Sequence, residues 1–322
     1  MSEDSIEGQK SIWDELQHCS AESEAKKVET LNINDTETVH HTDSLDSFEL
    51  IDYPDPDEIE IAGFNKKKLL KMCTFSKITY GNNDIKLSEA VYKTKAEFIK
   101  EGYNIIPFYH TNGTLAGFVF TKDREITIAY RGTQGFDDIM TDINAWLTIL
   151  EFLSEGGRVH YGFYNSFKDS RKCLADIIKT YSDEQKLEIK DFKFYLTGHS
   201  MGGAIAKIAA LFLSKVIGAQ DLHVATFADP RVFDLTASEI YNKALPNRTV
   251  RVTQHRCDPV PAVAPGFLGY VHVGTQLRIS VMPEYTVHKI DGYYQAINMM
   301  QESDFQPDIV HLSFTIFLDH SS

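Results

Sequence analysis

FKFYLTGHSMGGAIAKIAALFL, residues 192–213, joins an apolar strand pattern to a helical pattern through a glycine-rich turn. The apolar run over residues 192–197 predicts a buried strand, and residues 204–213 carry the small and aliphatic side chains of a helix packed tightly on it. A serine flanked by glycines at such a strand-to-helix junction is typical of a nucleophile elbow. The glycines fit the turn because a side chain beside the serine would collide as the backbone reverses. Ser200 is therefore the predicted nucleophile.

The charge of the chain is concentrated near its N-terminus. Residues 1–60 hold 18 Asp and Glu against three Lys, a balance of −15, whereas the whole 322-residue chain carries −14. Residues 1–55 also have few apolar side chains, so we expect an acidic, disordered tail there and one catalytic domain over residues 56–322. Because that domain is close to neutral, no basic face for nucleic acid is expected.

Targeting signals and cysteine spacing indicate the compartment of the protein and the state of its thiols. We find no basic and apolar signal segment and no run of the ~20 apolar residues that cross a bilayer. We therefore expect a protein that is cytoplasmic or delivered by a non-classical route. The four cysteines are widely spaced without a C-x-x-C pair. Neither a disulfide framework nor a metal site is expected from them, and the sequence indicates no cofactor. The oligomeric state stays open.

Helical and strand-like patterns alternate after the tail. Helices are predicted over residues 66–80, 87–101, 164–181, 204–213 and 237–245, with a last one after His311. Strands are predicted over residues 103–109, 116–121, 125–130, 192–197, 222–227, 249–253 and 276–281. This alternation predicts an α/β fold, with a mostly parallel central sheet and helices on both faces.

A serine hydroxyl needs a histidine base, and the histidine needs a carboxylate to orient it. On an elbow of this kind the three residues follow the chain order Ser, acid, His. The candidates for the base are His272, His288, His311 and His320. We choose His311, because an irregular stretch precedes it and a predicted helix follows it. The side chain of His199, next to the nucleophile, is expected to point away and to be structural.

Two aspartates are candidates for the acid. Asp258 lies in the loop after the strand predicted at 249–253, and ligands bind at the carboxyl ends of strands in open α/β sheets. Asp229 ends the preceding strand and is expected to form a turn or to bind Arg231. We therefore choose Asp258.

The donors of an oxyanion hole are predicted on two segments. Arg131-Gly132-Thr133 follows a buried strand and offers the backbone N–H of Thr133, with its hydroxyl as a possible helper. The second donor is the N–H of Met201, the residue after the nucleophile, at the N-terminus of the elbow helix.

Seven segments now stand in a characteristic order: YRGT at 130–133, DIMTDI at 138–143, VHYGF at 159–163, GHSMGG at 198–203, DPRV at 229–232, DPVP at 258–261 and HLSF at 311–314. In this order the chain resembles the class 3 lipases, the group of the fungal triacylglycerol lipases, over about residues 65–318. The resemblance implies an α/β-hydrolase fold and a lipid or other ester as substrate. It also implies hydrolysis through an acyl-enzyme, of the acylglycerol lipase or phospholipase A type. Ser200, Asp258 and His311 would then form the triad, and Thr133 and Met201 the oxyanion hole.

In these lipases the segment between Thr133 and Val159 carries a lid. Apolar residues recur at helical spacing from Phe136 to Leu147, which predicts an amphipathic helix that covers the site or touches a membrane surface transiently. An ordinary core-facing helix is the alternative. Two other functions also stay open: a catalytically idle lipase-like scaffold or interaction protein, and an esterase for soluble esters.

Overall fold

The computed structural model describes residues 60–81, 85–133, 146–254, 258–281 and 288–300, with the backbone alone over residues 85–90. The tail predicted over residues 1–55 lies outside these ranges, so its boundary with the domain stays a prediction. Most of the predicted lid, residues 136–145, and the last predicted helix also lie outside them.

The described residues form nine strands: β1 (Asn104–Tyr109), β2 (Leu115–Lys122), β3 (Glu125–Tyr130), β4 (Leu147–Ile149), β5 (Arg158–His160), β6 (Lys193–His199), β7 (Asp221–Phe227), β8 (Thr249–Gln254) and β9 (Thr275–Ile279). Seven of them make one sheet in the spatial order β1-β2-β3-β6-β7-β8-β9. The first two pairings are antiparallel, and the four pairings from β3 to β9 are parallel. The predicted mostly parallel sheet is therefore confirmed.

Six α-helices accompany the strands in the described ranges: α1 (Lys66–Ile78), α2 (Ile85–Lys100), α3 (Tyr161–Gln185), α4 (Met201–Phe212), α5 (Leu235–Ala244) and α6 (Ile290–Met299). Side chains of α1 and α6 share a core with Tyr195 and Ala225 of the sheet. Successive strand residues point to opposite faces, and α4 packs against β3, β6 and β7 from the other side. Helices thus cover both faces, as predicted, although α6 was not expected. No helix in the described part of the chain is both long and apolar enough to span a bilayer.

A short antiparallel hairpin, β4 and β5, lies beside the main sheet. Leu147 starts β4, so the helix predicted to end at this residue is wrong there. The physical reason is local, because Leu147-Thr148-Ile149 favours a strand. Gly156 and Gly157, with φ of 83° and 104°, supply the left-handed backbone that lets the chain return.

The parallel strands determine where the predicted site residues lie. β3, β6, β7 and β8 run in one direction, so their carboxyl ends share one edge of the sheet. Thr133 follows β3 closely, Ser200 follows β6, and Asp258 lies in the loop after β8. This edge is the place where ligands bind in open α/β sheets.

Candidate active site

Ser200 occupies a sharp turn between β6 and α4. Its backbone has φ 59° and ψ −132°, a region that L-residues avoid and that is found where the surroundings enforce it. The Ser200 N–H donates to the Phe227 carbonyl at 2.9 Å, which ties the turn to β7. A Cβ on Gly198 would lie 2.3 Å from the carbonyl carbon of Gly202. The turn therefore needs glycine at 198, and the geometry is that of a nucleophile elbow.

A histidine lies between the serine and a carboxylate. His288 Nε2 is 2.9 Å from Ser200 Oγ, and its Nδ1 is 2.8 Å from Asp258 Oδ2. All three groups are buried. In such a series the imidazole can take the serine proton through Nε2 while the carboxylate holds the Nδ1–H tautomer. The structure thus brings Ser200 and Asp258 to one imidazole.

That imidazole belongs to His288, whereas the sequence analysis chose His311. His311 lies outside the described residues. His288 is one of the four candidate histidines, and it occupies the position that is predicted for His311. The backbone explains how it gets there: His288 has φ 63°, a left-handed conformation that turns the chain just before α6.

The pattern that predicts His311 as the base is a histidine in a loop just ahead of a helix. His288 has this position, because α6 runs from Ile290 to Met299. Its buried residues Ile290, Tyr293 and Ile297 stand at helical spacing, which is the signal that could have revealed the helix.

The carboxylate of Asp258 has two further partners. Its Oδ1 accepts the Val260 N–H at 3.0 Å. Tyr293 Oη donates to its Oδ2 at 2.7 Å, the same oxygen that faces His288. Burial raises the pKa of Tyr293, and the nearby charge of Asp258 raises it further, so the phenol stays protonated and remains a donor. Tyr293 is not among the site residues predicted from the sequence.

Asp229, the other candidate acid, is engaged elsewhere. Its Oδ1 accepts the Thr226 hydroxyl at 2.6 Å, and its Oδ2 pairs with Lys207 of α4 in the core. Burial acts to raise the pKa of Asp229, but the positive charges of Lys207 and Arg251 outweigh burial and hold the pKa below its usual value.

Arg231 is not the partner of Asp229. Its guanidinium donates to the Ala262 carbonyl at 2.9 Å. The expectation that Asp229 binds Arg231 is therefore wrong, and a lysine inside an apolar helix takes the role instead.

The two predicted oxyanion donors stand side by side. Met201 is the first residue of α4, and the first N–H groups of a helix have no partner within it. Thr133 Oγ1 donates to Met201 Sδ at 3.4 Å. A Cβ on Gly202 would lie 2.4 Å from the Tyr130 carbonyl oxygen, so the end of β3 runs directly against the first turn of α4.

The side chain of His199 does not point away from the site. Its ring centroid lies 4.6 Å from that of His288, with the planes tilted by 35°. Its Nδ1 is 2.8 Å from the hydroxyl of Tyr80. The expectation for His199 is thus corrected, because the elbow turns its ring toward the base.

A metal centre finds no support in the described ranges, where no three His, Cys, Asp or Glu side chains gather into a group that could hold an ion.

Comparison with known proteins agrees with this geometry. Residues 127–267 match the family described as Lipase (class 3). A secreted mono- and diacylglycerol lipase 1 from Fusarium solani is 31% identical over 188 residues, which cover 56% of this chain and 53% of that protein. A lipase from Rhizomucor miehei is 28% identical over 224 residues, covering 66% of this chain and 55% of the relative. The chain spans about half the length of the curated relatives it matches.

Solved structures show the same fold. A lipase from Rhizopus microsporus var. chinensis aligns with a TM-score of 0.55 at 24% identity, over 69% of this chain and 76% of that one. A mono- and diacylglycerol lipase from Aspergillus oryzae aligns with a TM-score of 0.53 at 23% identity, over 70% and 83%. The central sheet, the elbow and the matched segment agree: the chain has the α/β-hydrolase fold, and its residues 127–267 are similar to the class 3 lipases.

Proposed function

We propose that the protein is a serine carboxylic ester hydrolase that acts on lipid esters, of the acylglycerol lipase or phospholipase A type. One observation carries the proposal: Ser200 Oγ, His288 and Asp258 form a continuous series of hydrogen bonds at a nucleophile elbow. The match to the class 3 lipases supports a lipid as substrate.

The geometry supports acyl transfer in two halves. In the first, Ser200 Oγ attacks the ester carbonyl carbon while His288 Nε2 takes the hydroxyl proton, and Asp258 stabilises the resulting imidazolium. The carbonyl oxygen becomes an oxyanion that faces the donors of Thr133 and Met201. His288 then passes the proton to the leaving alkoxide, and an acyl-enzyme remains.

In the second half, water replaces the alcohol. His288 takes a proton from the water as the water oxygen attacks the acyl carbon. The proton returns to Ser200 Oγ as the carbon–oxygen bond to the enzyme breaks. The products are a carboxylic acid and the free serine, and no other reactant is needed.

The burial of Ser200 and the exposed apolar side chains near the hairpin also favour an enzyme that works at a lipid surface. Ser200 is fully buried, so an ester reaches it only when the site opens. Trp146 is 73% exposed and Ile149 is 63% exposed, so two large apolar side chains face solvent at the hairpin. Tryptophan favours the boundary between water and lipid. We therefore propose that residues 136–147 and the adjoining hairpin touch a membrane or lipid surface transiently.

The test uses purified full-length protein with p-nitrophenyl butyrate and with an emulsified diacylglycerol. Ser200→Ala and His288→Ala are expected to lower kcat about a thousandfold or more. His311→Ala is the matched control and is expected to stay within twofold of wild type. Equal activity of wild type and Ser200→Ala would overturn the hydrolase. If only His311→Ala loses activity, His311 is the base after all.

The same assay separates the two remaining functions. A catalytically idle scaffold predicts no turnover that depends on Ser200 with either substrate. An esterase for soluble esters predicts turnover that does not rise when the substrate aggregates. A lipase predicts a rise above the aggregation concentration of the lipid, since an opened site gains an apolar surface to contact.

A further inference from the structure

The ring of His199 belongs to a buried aromatic group around the base. Besides its contact with His288, its centroid lies 5.8 Å from that of Tyr80 and 6.0 Å from that of Tyr293, both edge to face. Tyr293 is the residue that donates to Asp258. His199 therefore touches the base directly and neighbours the group that holds the acid.

Tyr80 fixes the orientation of the His199 ring. Its hydroxyl, just after α1, is 2.8 Å from His199 Nδ1. The Gly132 N–H donates to the same hydroxyl oxygen, and burial raises the pKa of Tyr80, so the phenol keeps its proton. The hydroxyl oxygen also lies 3.4 Å from the His199 carbonyl oxygen, so Tyr80 contacts both the ring and the backbone of His199.

The link continues into the oxyanion segment. A Cβ on Gly132 would lie 2.2 Å from the Tyr80 hydroxyl oxygen and 2.6 Å from the His199 carbonyl oxygen. Gly132 is thus held between the two, and Thr133 is the next residue. Tyr80 therefore connects the oxyanion donor and the ring beside the base.

The charge of His199 matters because of its distance from His288. Burial lowers the pKa of His199 well below its usual value, and the positive charges of His288 and Lys289 lower it further. His199 therefore stays neutral when His288 takes the serine proton. A second positive ring at 4.6 Å would repel the imidazolium strongly in a buried site, whereas a neutral ring face does not.

We propose that His199 is a positioning residue for His288, with Tyr80 as its anchor. The neutral ring of His199 packs against the His288 imidazole and holds it within hydrogen-bond distance of both Ser200 Oγ and Asp258. His288 needs such support because it stands in a loop with a left-handed backbone. This inference rests on the proposed function, since the packing of His199 against His288 affects catalysis only if His288 is the base.

Three variants separate the effect of the His199 ring from the effect of the Tyr80 hydroxyl that binds it. Tyr80→Phe keeps the His199 ring and removes the hydroxyl, and His199→Phe keeps a flat ring without Nδ1. His199→Asn keeps an acceptor for Tyr80 and removes the ring. His223→Asn is the matched control, because His223 is a part-buried histidine near the start of β7, whereas Ser200 lies beyond the carboxyl end of β6.

The variants are compared on p-nitrophenyl butyrate, with active sites counted by a phosphonate ester and folding checked by the thermal midpoint. His199→Asn is expected to lower kcat about tenfold or more, because a base displaced by a fraction of an ångström transfers protons poorly. KM should stay within twofold. Tyr80→Phe should lose at least as much as His199→Phe, because it removes the bond to Gly132 as well as the bond to His199. The double variant Tyr80→Phe/His199→Phe should lose no more than Tyr80→Phe, since the His199 bond is already absent there.

A second measurement needs no turnover. The His288 imidazole proton signals in the NMR spectrum feel the ring current of His199, so they should move in His199→Asn and in Tyr80→Phe but not in His223→Asn. Unchanged kcat together with unchanged His288 signals would overturn the inference. A wild type without turnover dependent on Ser200 would instead refute the proposed function, and the NMR comparison would still decide whether His199 positions His288.

Discussion

Tyr293 donates to Asp258 Oδ2 at 2.7 Å, and this is the oxygen that also faces His288 Nδ1. One carboxylate oxygen thus serves both the base and a tyrosine on the helix that follows the base. The tyrosine thus helps to hold the carboxylate that orients the imidazole.

Tyr293→Phe is expected to lower kcat about fivefold, because a net hydrogen bond of ~1 kcal/mol to the oriented carboxylate is lost. The KM for p-nitrophenyl butyrate should not change. Tyr294→Phe on the same helix is the control, since Tyr294 packs against the core without a described bond to Asp258. Equal loss in both variants would show that the helix, rather than the hydroxyl, matters.

Thr133 and Met201 allow the oxyanion hole to be tested atom by atom. In this structure the Thr133 hydroxyl donates to the Met201 sulfur, which is a weak acceptor and easily exchanged for an oxyanion. Thr133→Val, which keeps the shape, is expected to lower kcat about a hundredfold if the hydroxyl stabilises the oxyanion. Thr133→Ser should retain most of the activity, and Met201→Leu should stay within about twofold. Full activity in Thr133→Val would leave the backbone N–H groups as the only donors.

Trp146 allows the proposed surface contact to be tested. Because its side chain is 73% exposed, Trp146→Ser should leave folding and the turnover of dissolved p-nitrophenyl butyrate unchanged. Activity on emulsified diacylglycerol and binding to phosphatidylcholine vesicles should fall about fivefold or more, since an aromatic anchor at the lipid boundary is lost. Tyr92→Ser is the control, since Tyr92 is 61% exposed on α2. An equal fall in both variants would point to a general loss of surface hydrophobicity.

The fold could be predicted from local patterns. Strands and helices near the site follow periodicities that extend over a few residues, and the elbow at Ser200 is a contiguous motif. The hairpin of β4 was missed because three residues are too few to show alternation. Asp258 could be proposed because it follows a strand at the edge where parallel strands end.

The base could not be chosen in the same way. The bond from His288 to Ser200 joins residues 88 positions apart, and it depends on the left-handed backbone of one loop residue. The burial of Lys207 could not be predicted for another reason. A lysine usually lies at the surface, and the sequence of α4 does not show that Asp229 pairs with Lys207 in the core.

Removal of one partner from the buried pair of Lys207 and Asp229 is expected to destabilise the fold strongly. Both side chains are at most 1% exposed. Lys207→Met leaves the Asp229 carboxylate buried without its main partner and is expected to cost about 3 kcal/mol in the free energy of unfolding, measured with urea. The double variant Lys207→Met/Asp229→Asn should recover part of that loss.

Lys215→Met is the matched control for this pair. Lys215 follows the same helix and binds Glu155 at the surface, where an ion pair contributes at most about 1 kcal/mol. If Lys207→Met costs no more than Lys215→Met, the unpaired Asp229 carboxylate does not carry the expected penalty.

His160 makes the fold sensitive to acid. It is buried and stacks on Phe163 with ring centroids 4.0 Å apart, and burial lowers its pKa to about 4. The unfolded chain has a histidine pKa of about 6.5, so between these values the unfolded state binds the proton and the folded state does not. Stability therefore falls as the pH drops from about 6.5 toward 4, and this single residue removes about 2 kcal/mol by pH 5 relative to pH 8.

His160→Phe tests this dependence, because it keeps a flat ring and cannot take a proton. Urea unfolding at pH 8 and pH 5 should show a difference that is smaller by about 2 kcal/mol in the variant than in wild type. Burial also lowers the pKa values of His199 and His272. The free energy of unfolding therefore keeps part of its pH dependence in both wild type and variant. An unchanged slope in His160→Phe would mean that His160 takes up its proton in the folded state without cost, and that its burial does not disfavour the charge.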